Sequence, residues 1–220
     1  MPSSEPSPEL VALMLADARF PSGGYAQSAG LEPAVRAGLT DVPLFAAARL
    51  RTLAAVDAGT AVVARHVALA GGSLAHVDDA WAARTPSRPL REAARLTGRG
   101  YLRLAGRLWP DVLRMLPGPV APRPVVVGVV GAVTGLEPAQ VARLVGYDDV
   151  QTVASAALKL LPLDPAEVAQ WVVALHGAVE RLVVSVAGLT APDDIPDRGA
   201  PAVDVHAEQH RREEMRLFHV

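Results

Sequence analysis

The feature that most constrains the fold is the way proline and glycine divide long segments rich in alanine, leucine and valine. The 220 residues include 19 prolines and 18 glycines, and half of the chain is hydrophobic. Proline is tolerated in the first turn of a helix and glycine commonly follows the last turn, so this punctuation is typical of consecutive helices. We therefore predict an all-α fold, a single-domain helical bundle of about ten helices.

The same punctuation sets the predicted boundaries. We predict a disordered tail over residues 1–8, a helical domain over 9–189, a linker rich in proline and aspartate over 190–203, and a C-terminal helix over 204–220. Each boundary depends on a proline, a glycine or a side chain suited to an N-cap. Within the domain, helices are predicted over 9–19, 28–37, 41–59, 60–70, 76–84, 89–108, 124–135, 138–146, 149–161 and 165–188.

One of these segments is ambiguous between strand and helix. The sequence VVVGVVGAV, within residues 124–135, is rich in β-branched side chains, which favour strands. However, Gly128, Gly131, Ala132 and Gly135 recur at i, i+3, i+4 and i+7, which places small residues on one face of a helix. No partner strand is evident elsewhere in the sequence, so we predict a buried helix.

Charge and composition exclude several classes of protein. The formal net charge of −2 argues against a dedicated nucleic-acid binder, which usually carries a strongly basic domain. The absence of cysteine excludes disulfides, thiolate metal ligands and thiol nucleophiles. The acidic start, rich in proline and serine, is unlike a signal peptide, and no apolar run reaches the roughly 20 residues that span a bilayer. We expect a cytoplasmic protein that binds neither nucleic acid nor membrane.

The predicted helix over 89–108 has one arginine-rich face. Arginine recurs at every fourth residue and, at about 100° per residue, covers the side opposite the apolar one, with Glu92 the single acid among them. Two interpretations stay open: a solvated polar face, or a surface that docks an acidic partner. The arginines are Arg91, Arg95, Arg99, Arg103 and Arg107, and the predicted core face comprises Leu90, Ala94, Thr97, Tyr101, Leu104, Ala105 and Leu108.

Sequence motifs for catalysis or cofactor binding are absent or incomplete. Neither the P-loop pattern GxxxxGK[ST] nor the nucleophile-elbow pattern GxSxG occurs. His206 and His210 are four residues apart, but HAEQH does not place glutamate as HExxH does, and no third ligand is near in the sequence. We predict no catalytic residue, no cofactor and no metal site, and hence no enzyme. The alternative is a helical protein that binds an anion or phosphate ligand through the glycine corner at 19–32 and the arginine face.

Four stretches, in order along nearly the whole chain, carry a family resemblance. The first is RFPSGGYAQSAGLE, and the second is the arginine-bearing helix in RTPSRPLREAARLTGRGYLRLA. The third is ASAALKLLPL, and the fourth is VDVHAEQHRREEMRLF. Together they resemble the UreF family of urease accessory proteins, whose early pattern P-x-G-G-aromatic-x-x-S-x-G-x-E is filled here by Pro21, Gly23, Gly24, Tyr25, Ser28, Gly30 and Glu32.

The resemblance implies an all-α homodimer without catalysis of its own. UreF-like proteins belong to a nickel-delivery assembly, in which they bridge the scaffold UreD (also called UreH) and the GTPase UreG while nickel is inserted into apo-urease. Family members engage UreD through an N-terminal helix and a C-terminal tail, here residues 9–19 and 204–220. Besides the seven residues of the early pattern, the implied partner-binding residues are Arg91, Arg95, Arg99, Lys159, His210, Arg216, Leu217 and Phe218.

Overall fold

The computed structural model describes residues 7–17, 20, 27–116, 120–210 and 217–218, and only the backbone of residues 209 and 210. This part of the chain is all-α, as predicted, with eleven α-helices, one 3₁₀ turn at Pro192–Asp194 and no strand. The helices are α1 (Pro8–Ala16), α2 (Leu31–Arg36), α3 (Val42–Arg51), α4 (Leu53–Leu69), α5 (Leu74–Arg84), α6 (Arg88–Leu108), α7 (Asp111–Met115), α8 (Arg123–Thr134), α9 (Pro138–Leu160), α10 (Pro165–Val186) and α11 (Pro201–His210).

The helices begin where the sequence supplies proline and capping side chains. Seven of them carry proline at the first or second position, namely α1, α3, α6, α8, α9, α10 and α11. At the start of α3 the Asp41 carboxylate accepts the Leu44 N–H at 2.9 Å, which satisfies a backbone donor that the helix leaves unpaired. At the end of α8, Gly135 has φ 74°, a left-handed conformation that glycine adopts without steric cost. Local chemistry therefore sets most helix starts.

Helices α4 and α8 cross at the centre of the core. Every residue from Pro124 to Ala132 in α8 is buried, which confirms the predicted buried helix. The two backbones approach closely at Gly128, where a Cβ would lie 2.3 Å from the Ala61 carbonyl oxygen of α4. Around this pair, α9 packs against α4 and α10, α6 packs against α8, and α5 packs against α4.

One apolar stretch among the described residues has the length and composition of a membrane span. It covers Val42–Leu69, that is α3 and α4, and has a mean hydropathy of 1.2 over its best window. However, 61% of that window is buried inside the fold. Packing in the protein core therefore accounts for its apolar composition.

The predicted boundary between helices 41–59 and 60–70 is wrong, because the helix is interrupted at Thr52 instead. Thr52 has φ −124° and ψ −100°, and its Oγ1 donates to the Ala48 carbonyl at 3.0 Å, a bond that competes with the helical pattern. Gly59 lies inside α4 instead, where a Cβ would come 2.7 Å from Pro196 Cδ. The glycine permits a close contact and does not end a helix.

The two helices predicted over 138–146 and 149–161 are one continuous helix, α9. Gly146 faces α10, and a Cβ there would lie 2.8 Å from Leu182 Cδ2, so this glycine also marks a close helix contact. The short helix α7 was not predicted, since its five residues carry too little periodic pattern.

The predicted ends of three helices also need correction. Helix α1 spans Pro8–Ala16, so Pro8 belongs to a helix and not to the predicted tail; α2 begins at Leu31 and not at residue 28. The last helix begins at Pro201, three residues before the predicted start, and is described as far as His210. Proline in the first turn explains the earlier start.

The segment predicted as a linker is attached to the helical core. Most of it is exposed, but Ile195 is buried in the core cluster. The Arg84 side chain of α5 donates to the carbonyl oxygens of Ile195 at 2.8 Å and Asp193 at 3.1 Å. The division of the chain into tail, domain, linker and C-terminal helix stays a prediction.

Candidate functional site

A buried carboxylate near the N-terminus binds the C-terminal segment. Glu32 lies in the first turn of α2 and is 1% exposed. Its Oε1 accepts the Leu217 N–H and its Oε2 accepts the Phe218 N–H, both at 3.0 Å. The Arg36 guanidinium, one turn later in α2, donates to Oε1 at 2.8 Å. Glu32 therefore joins two parts of the chain that are 186 residues apart.

The backbone that leads into Glu32 has an uncommon conformation. Ala29 has φ 54° and Gly30 has φ 77°, two consecutive left-handed residues before α2. A Cβ on Gly30 would be both strained and 3.2 Å from Val203 Cγ1 of α11. Ser28 is buried, and its Oγ accepts the Glu32 N–H at 3.4 Å. Ser28 and Gly30 thus shape the turn that aims Glu32 inward.

Phe218 fills an apolar site next to this carboxylate. It is buried against side chains of α2, α3 and α9, and the Lys159 Nζ of α9 lies 5.1 Å from its ring centroid. Leu217 donates one of the two hydrogen bonds to Glu32 through its backbone N–H, yet the residue is 71% exposed. We call Glu32, Lys159, Leu217 and Phe218 the C-terminal clasp. Its buried neighbours are Leu31, Val42, Ala46, Val153, Ala156 and Ala157.

The structure therefore brings together six of the residues implied by the family resemblance. Four form the clasp, and Ser28 and Gly30 support it. Of the remaining implied residues in the first and fourth stretches, His210 is described by its backbone alone, and five lie outside the described residues: Pro21, Gly23, Gly24, Tyr25 and Arg216.

The histidine pair His206 and His210 has no third potential metal ligand nearby among the described residues. His210 is described only as the last residue of α11, and His206 is half-exposed on the same helix. Among the residues that the structure describes, no cluster of three or more histidine, aspartate or glutamate side chains could hold a metal ion.

The arginine face of α6 divides into two parts. Arg91 donates to the backbone carbonyls of Thr85 at 2.6 Å and Pro86 at 2.7 Å. Arg95 binds Asp78 of α5 through two hydrogen bonds of 2.7 and 2.9 Å. Both arginines thus hold α6 to the preceding chain. Only the later ones, from Arg99 onward, are exposed.

The core face of α6 is rotated from the predicted one. Thr97, Tyr101 and Ala105 are buried as predicted, but Leu108 is exposed and Leu104 is only partly buried. Gly98 and Leu102 take their place in the core. The cause is Gly98, where a Cβ would lie 2.1 Å from the Ala121 carbonyl oxygen, so the helix packs directly against backbone.

A groove of about 990 Å³ runs between α1, α9 and α10. Helix α1 buries Val11 and Leu15 against the core and leaves Leu10 and Leu13 67% and 68% exposed. Leu13 lines the groove together with apolar side chains of the other two helices. The N-terminal helix therefore leaves apolar surface exposed to solvent.

A partly open cavity of about 140 Å³, which the sequence did not predict, lies between α3, α4, α6 and α9 and is lined by apolar and charged side chains. Two ion pairs form part of its wall. Arg49 donates to both carboxylate oxygens of Asp149, at 3.1 and 2.5 Å, and Arg123 donates to Asp148 at 2.6 Å. The adjacent Asp148 and Asp149 are the sequence signal for this site, and they lie where the sequence predicts a break between the helices 138–146 and 149–161.

A third carboxylate in the cavity, Asp57, differs from these two. Its Oδ1 accepts the Trp81 Nε1–H at 2.9 Å. Burial raises the pKa of Asp57, and the hydrogen bond from Trp81 and the charge of Arg123 offset this only in part. Burial alone lowers the pKa of Arg123, but its electrostatic interactions with Asp148, Tyr101 and Asp57 outweigh this effect and raise that pKa. The cavity has room for several water molecules around these groups.

The raised pKa of Asp57 has a consequence for stability. The folded state holds this proton more tightly than the unfolded state, so the stabilisation is complete below the ordinary pKa of 3.8 and is lost as pH rises through the folded value. Asp57→Asn stays neutral and keeps an acceptor for Trp81. We expect its melting temperature to equal or exceed that of the wild type at pH 8, with no advantage at pH 4.

The matched variant Asp57→Ala removes the acceptor and leaves the Trp81 N–H unpaired in the cavity. We expect it to lose about 1–3 kcal/mol of unfolding free energy at either pH. If thermal melts show Asp57→Asn to be less stable than the wild type only at alkaline pH, the charged form is the favoured one and the assignment is wrong.

Comparison with known proteins agrees with the resemblance. The family model described as UreF matches residues 37–176, more than half of the chain. The urease accessory protein UreF of Mycobacterium sp. strain JLS is 38% identical over 210 residues, which cover 94% of this chain and 96% of that protein. The proteins of the same name from Mycolicibacterium vanbaalenii and Mycobacterium tuberculosis are 35% identical over 210 residues and 38% identical over 216 residues. The chain belongs to the UreF family of urease accessory proteins.

Proposed function

We propose that the chain is a non-catalytic subunit of the machinery that inserts nickel into apo-urease in the cytoplasm. In this role it bridges UreD/UreH and the GTPase UreG, binding and positioning its partners without a catalytic step of its own. The observation that carries the proposal is the C-terminal clasp, in which a buried carboxylate fixes the backbone of a segment whose Leu217 side chain faces outward.

The energetics of the clasp support a binding role for the segment. A hydrogen bond to a charged acceptor contributes roughly 1.5–3 kcal/mol, and burial of a phenylalanine side chain contributes a similar amount. These contributions offset the conformational entropy lost when the segment is ordered. An ordered segment with an exposed leucine binds a partner at a lower entropic cost than a flexible one would.

In the proposed function, helix α1 provides a second surface that contacts a partner. Leu10 and Leu13 are exposed, and Leu13 lines the groove that α1 forms with α9 and α10. Exposed leucines next to an apolar groove are the features expected at a protein interface. We assign α1 and the C-terminal clasp, which includes Lys159, to UreD/UreH, and Arg99 to a surface available to another partner.

The exposed face of α10 supports the proposed homodimer. Val173 and Val184 are 64% and 83% exposed, and they share one helix face with the exposed Gly177. Small and apolar residues on one face allow two helices to approach closely. Light scattering should give a molar mass of twice 23.0 kDa; a mass of 23.0 kDa at all concentrations would contradict the dimer.

A pulldown tests the assignment of α1. The tagged chain is co-expressed with the UreD protein of the same organism, and the double variant Leu10→Glu/Leu13→Glu is compared with the wild type. We expect the recovered UreD to fall at least about tenfold, because two desolvated leucines of an interface contribute several kcal/mol together. The thermal melt should be unchanged, since both side chains are exposed.

The matched control is Leu69→Glu/Leu113→Glu, which places the same charges at exposed leucines of α4 and α7. This control should recover UreD at the wild-type level. Retention of UreD by the α1 variant, or equal loss in both variants, would show that α1 is not the contact surface.

A further inference from the structure

The arginines of α6 have different partners along the helix. Arg88 pairs with Glu92 at 2.7 Å, Arg91 binds backbone carbonyls, and Arg95 binds Asp78. The next three arginines, Arg99, Arg103 and Arg107, are exposed and make no ion pair with any described residue. The arginines in the first half of the helix therefore bind other groups of this chain, whereas those in the second half are exposed to solvent.

The exposed charges form a regular strip. Successive arginines four residues apart are separated by about 6 Å along the helix axis, so the strip is about 12 Å long. Together with Leu96, one turn before Arg99 and 47% exposed, they fall within an arc of about 80°. The strip contains no acidic residue.

This strip works against the stability of its own helix. Like charges at i,i+4 destabilise a helix, and Arg103 has such a neighbour on both sides. The segregation is also unusual for the chain: α6 carries six of 21 basic residues and one of 23 acidic residues, a formal charge of +5. The other residues comprise 15 basic and 22 acidic ones, a formal charge of −7. A solvated face would be expected to mix both signs.

We propose that Arg99, Arg103 and Arg107 form a docking strip for an acidic helix of a partner protein. Acidic residues at i,i+4 on a helix repeat at about 6 Å, which matches the arginine spacing. Arginine binds carboxylates with two parallel hydrogen bonds, which fixes the register of such a helix. Leu96 adds an apolar contact at one end of the strip.

Two other polyanions fit the strip less well. A membrane-surface helix needs an apolar face to insert between lipids, whereas Leu96 is the single apolar side chain on this arc. Single-stranded nucleic acid binds with aromatic stacking, and the one aromatic residue of α6, Tyr101, is buried. The acidic protein helix is therefore the occupant that the charges and the side chains favour.

Fluorescence anisotropy with the full chain tests the strip. One labelled helical peptide carries three glutamates four residues apart, and a second has the same composition with the glutamates on different faces. We expect the first peptide to bind more tightly and its affinity to fall as salt rises from about 20 mM to about 0.5 M. Arg99→Glu/Arg103→Glu/Arg107→Glu should weaken binding at least about tenfold at low salt.

The matched control is Arg51→Glu/Arg181→Glu/Arg198→Glu, which makes the same charge change at exposed arginines elsewhere. This control should bind the peptide as the wild type does, and circular dichroism should show equal helicity in all three proteins. Equal loss in the control, equal binding of both peptides, or no loss in the α6 variant would overturn the proposal. So would preferential binding of phosphatidylserine vesicles or single-stranded DNA by the wild type.

Discussion

Replacing Glu32 with alanine is expected to release residues 217–218 and to lower the free energy of unfolding by about 3 kcal/mol. The carboxylate accepts two backbone N–H groups and the Arg36 guanidinium, and it is almost fully buried. Alanine leaves these donors without their acceptor and exposes the apolar site under Phe218. Urea denaturation measures the loss of stability, and limited proteolysis measures release of the segment.

Two further variants test whether the loss of stability comes from the charge of Glu32 or would follow the removal of any carboxylate. Glu32→Gln keeps one acceptor oxygen, so an intermediate loss is expected. Glu180→Ala removes a carboxylate that binds Arg143 through two hydrogen bonds on the exposed surface, and it should change stability by less than about 1 kcal/mol. Equal stability of the wild type and Glu32→Ala would show that the clasp does not hold the segment in solution.

Replacing Gly128 with alanine is expected to destabilise the fold by about 3 kcal/mol through overpacking. The new Cβ would lie 2.3 Å from the Ala61 carbonyl oxygen and 2.7 Å from the Ala64 Cβ. Both atoms are fixed to the backbone of α4, so the two central helices must separate. The higher helix propensity of alanine, about 1 kcal/mol, does not compensate. Thermal melting and urea denaturation measure the effect.

The control for Gly128 is Gly188, an exposed glycine that follows the end of α10. A Cβ there would meet no atom within 4 Å. Gly188→Ala should therefore leave stability unchanged or raise it by up to about 1 kcal/mol. Similar losses for the two variants would mean that the glycines serve flexibility and not close packing.

The fold was predictable from the sequence wherever local chemistry determines it. Proline in the first turn, the Asp41 cap and the small-residue face of residues 124–135 predicted helices that the structure contains. The errors fall on glycines whose role depends on a distant neighbour. The sequence predicts helix ends at Gly59 and Gly146, but both glycines lie within helices, where a Cβ would be too close to Pro196 or Leu182. No local sequence pattern distinguishes a glycine that ends a helix from one that lets another segment pack closely against the helix.

The candidate site was predictable only in part and for a different reason. The resemblance named Glu32, Lys159, Leu217 and Phe218, but no periodicity connects residues so far apart in the chain. The same limit applies to the ion pairs of the cavity, since Arg49 and Asp149 are 100 residues apart. The sequence also does not show which arginines of α6 bind within the chain. Arg95 binds Asp78, and Arg91 binds two backbone carbonyl groups, and only folding brings these groups near.

The clasp also has a consequence for the order of events during synthesis. Glu32 emerges from the ribosome early, whereas the two N–H groups that it accepts follow 186 residues later. At 5–20 residues per second the delay is roughly 10–40 s, longer than most helices need to form. During this interval the rest of the bundle can assemble around a carboxylate that still lacks two donors. The contact therefore forms only after Leu217 and Phe218 have been synthesised, later than the contacts among the helices that precede them.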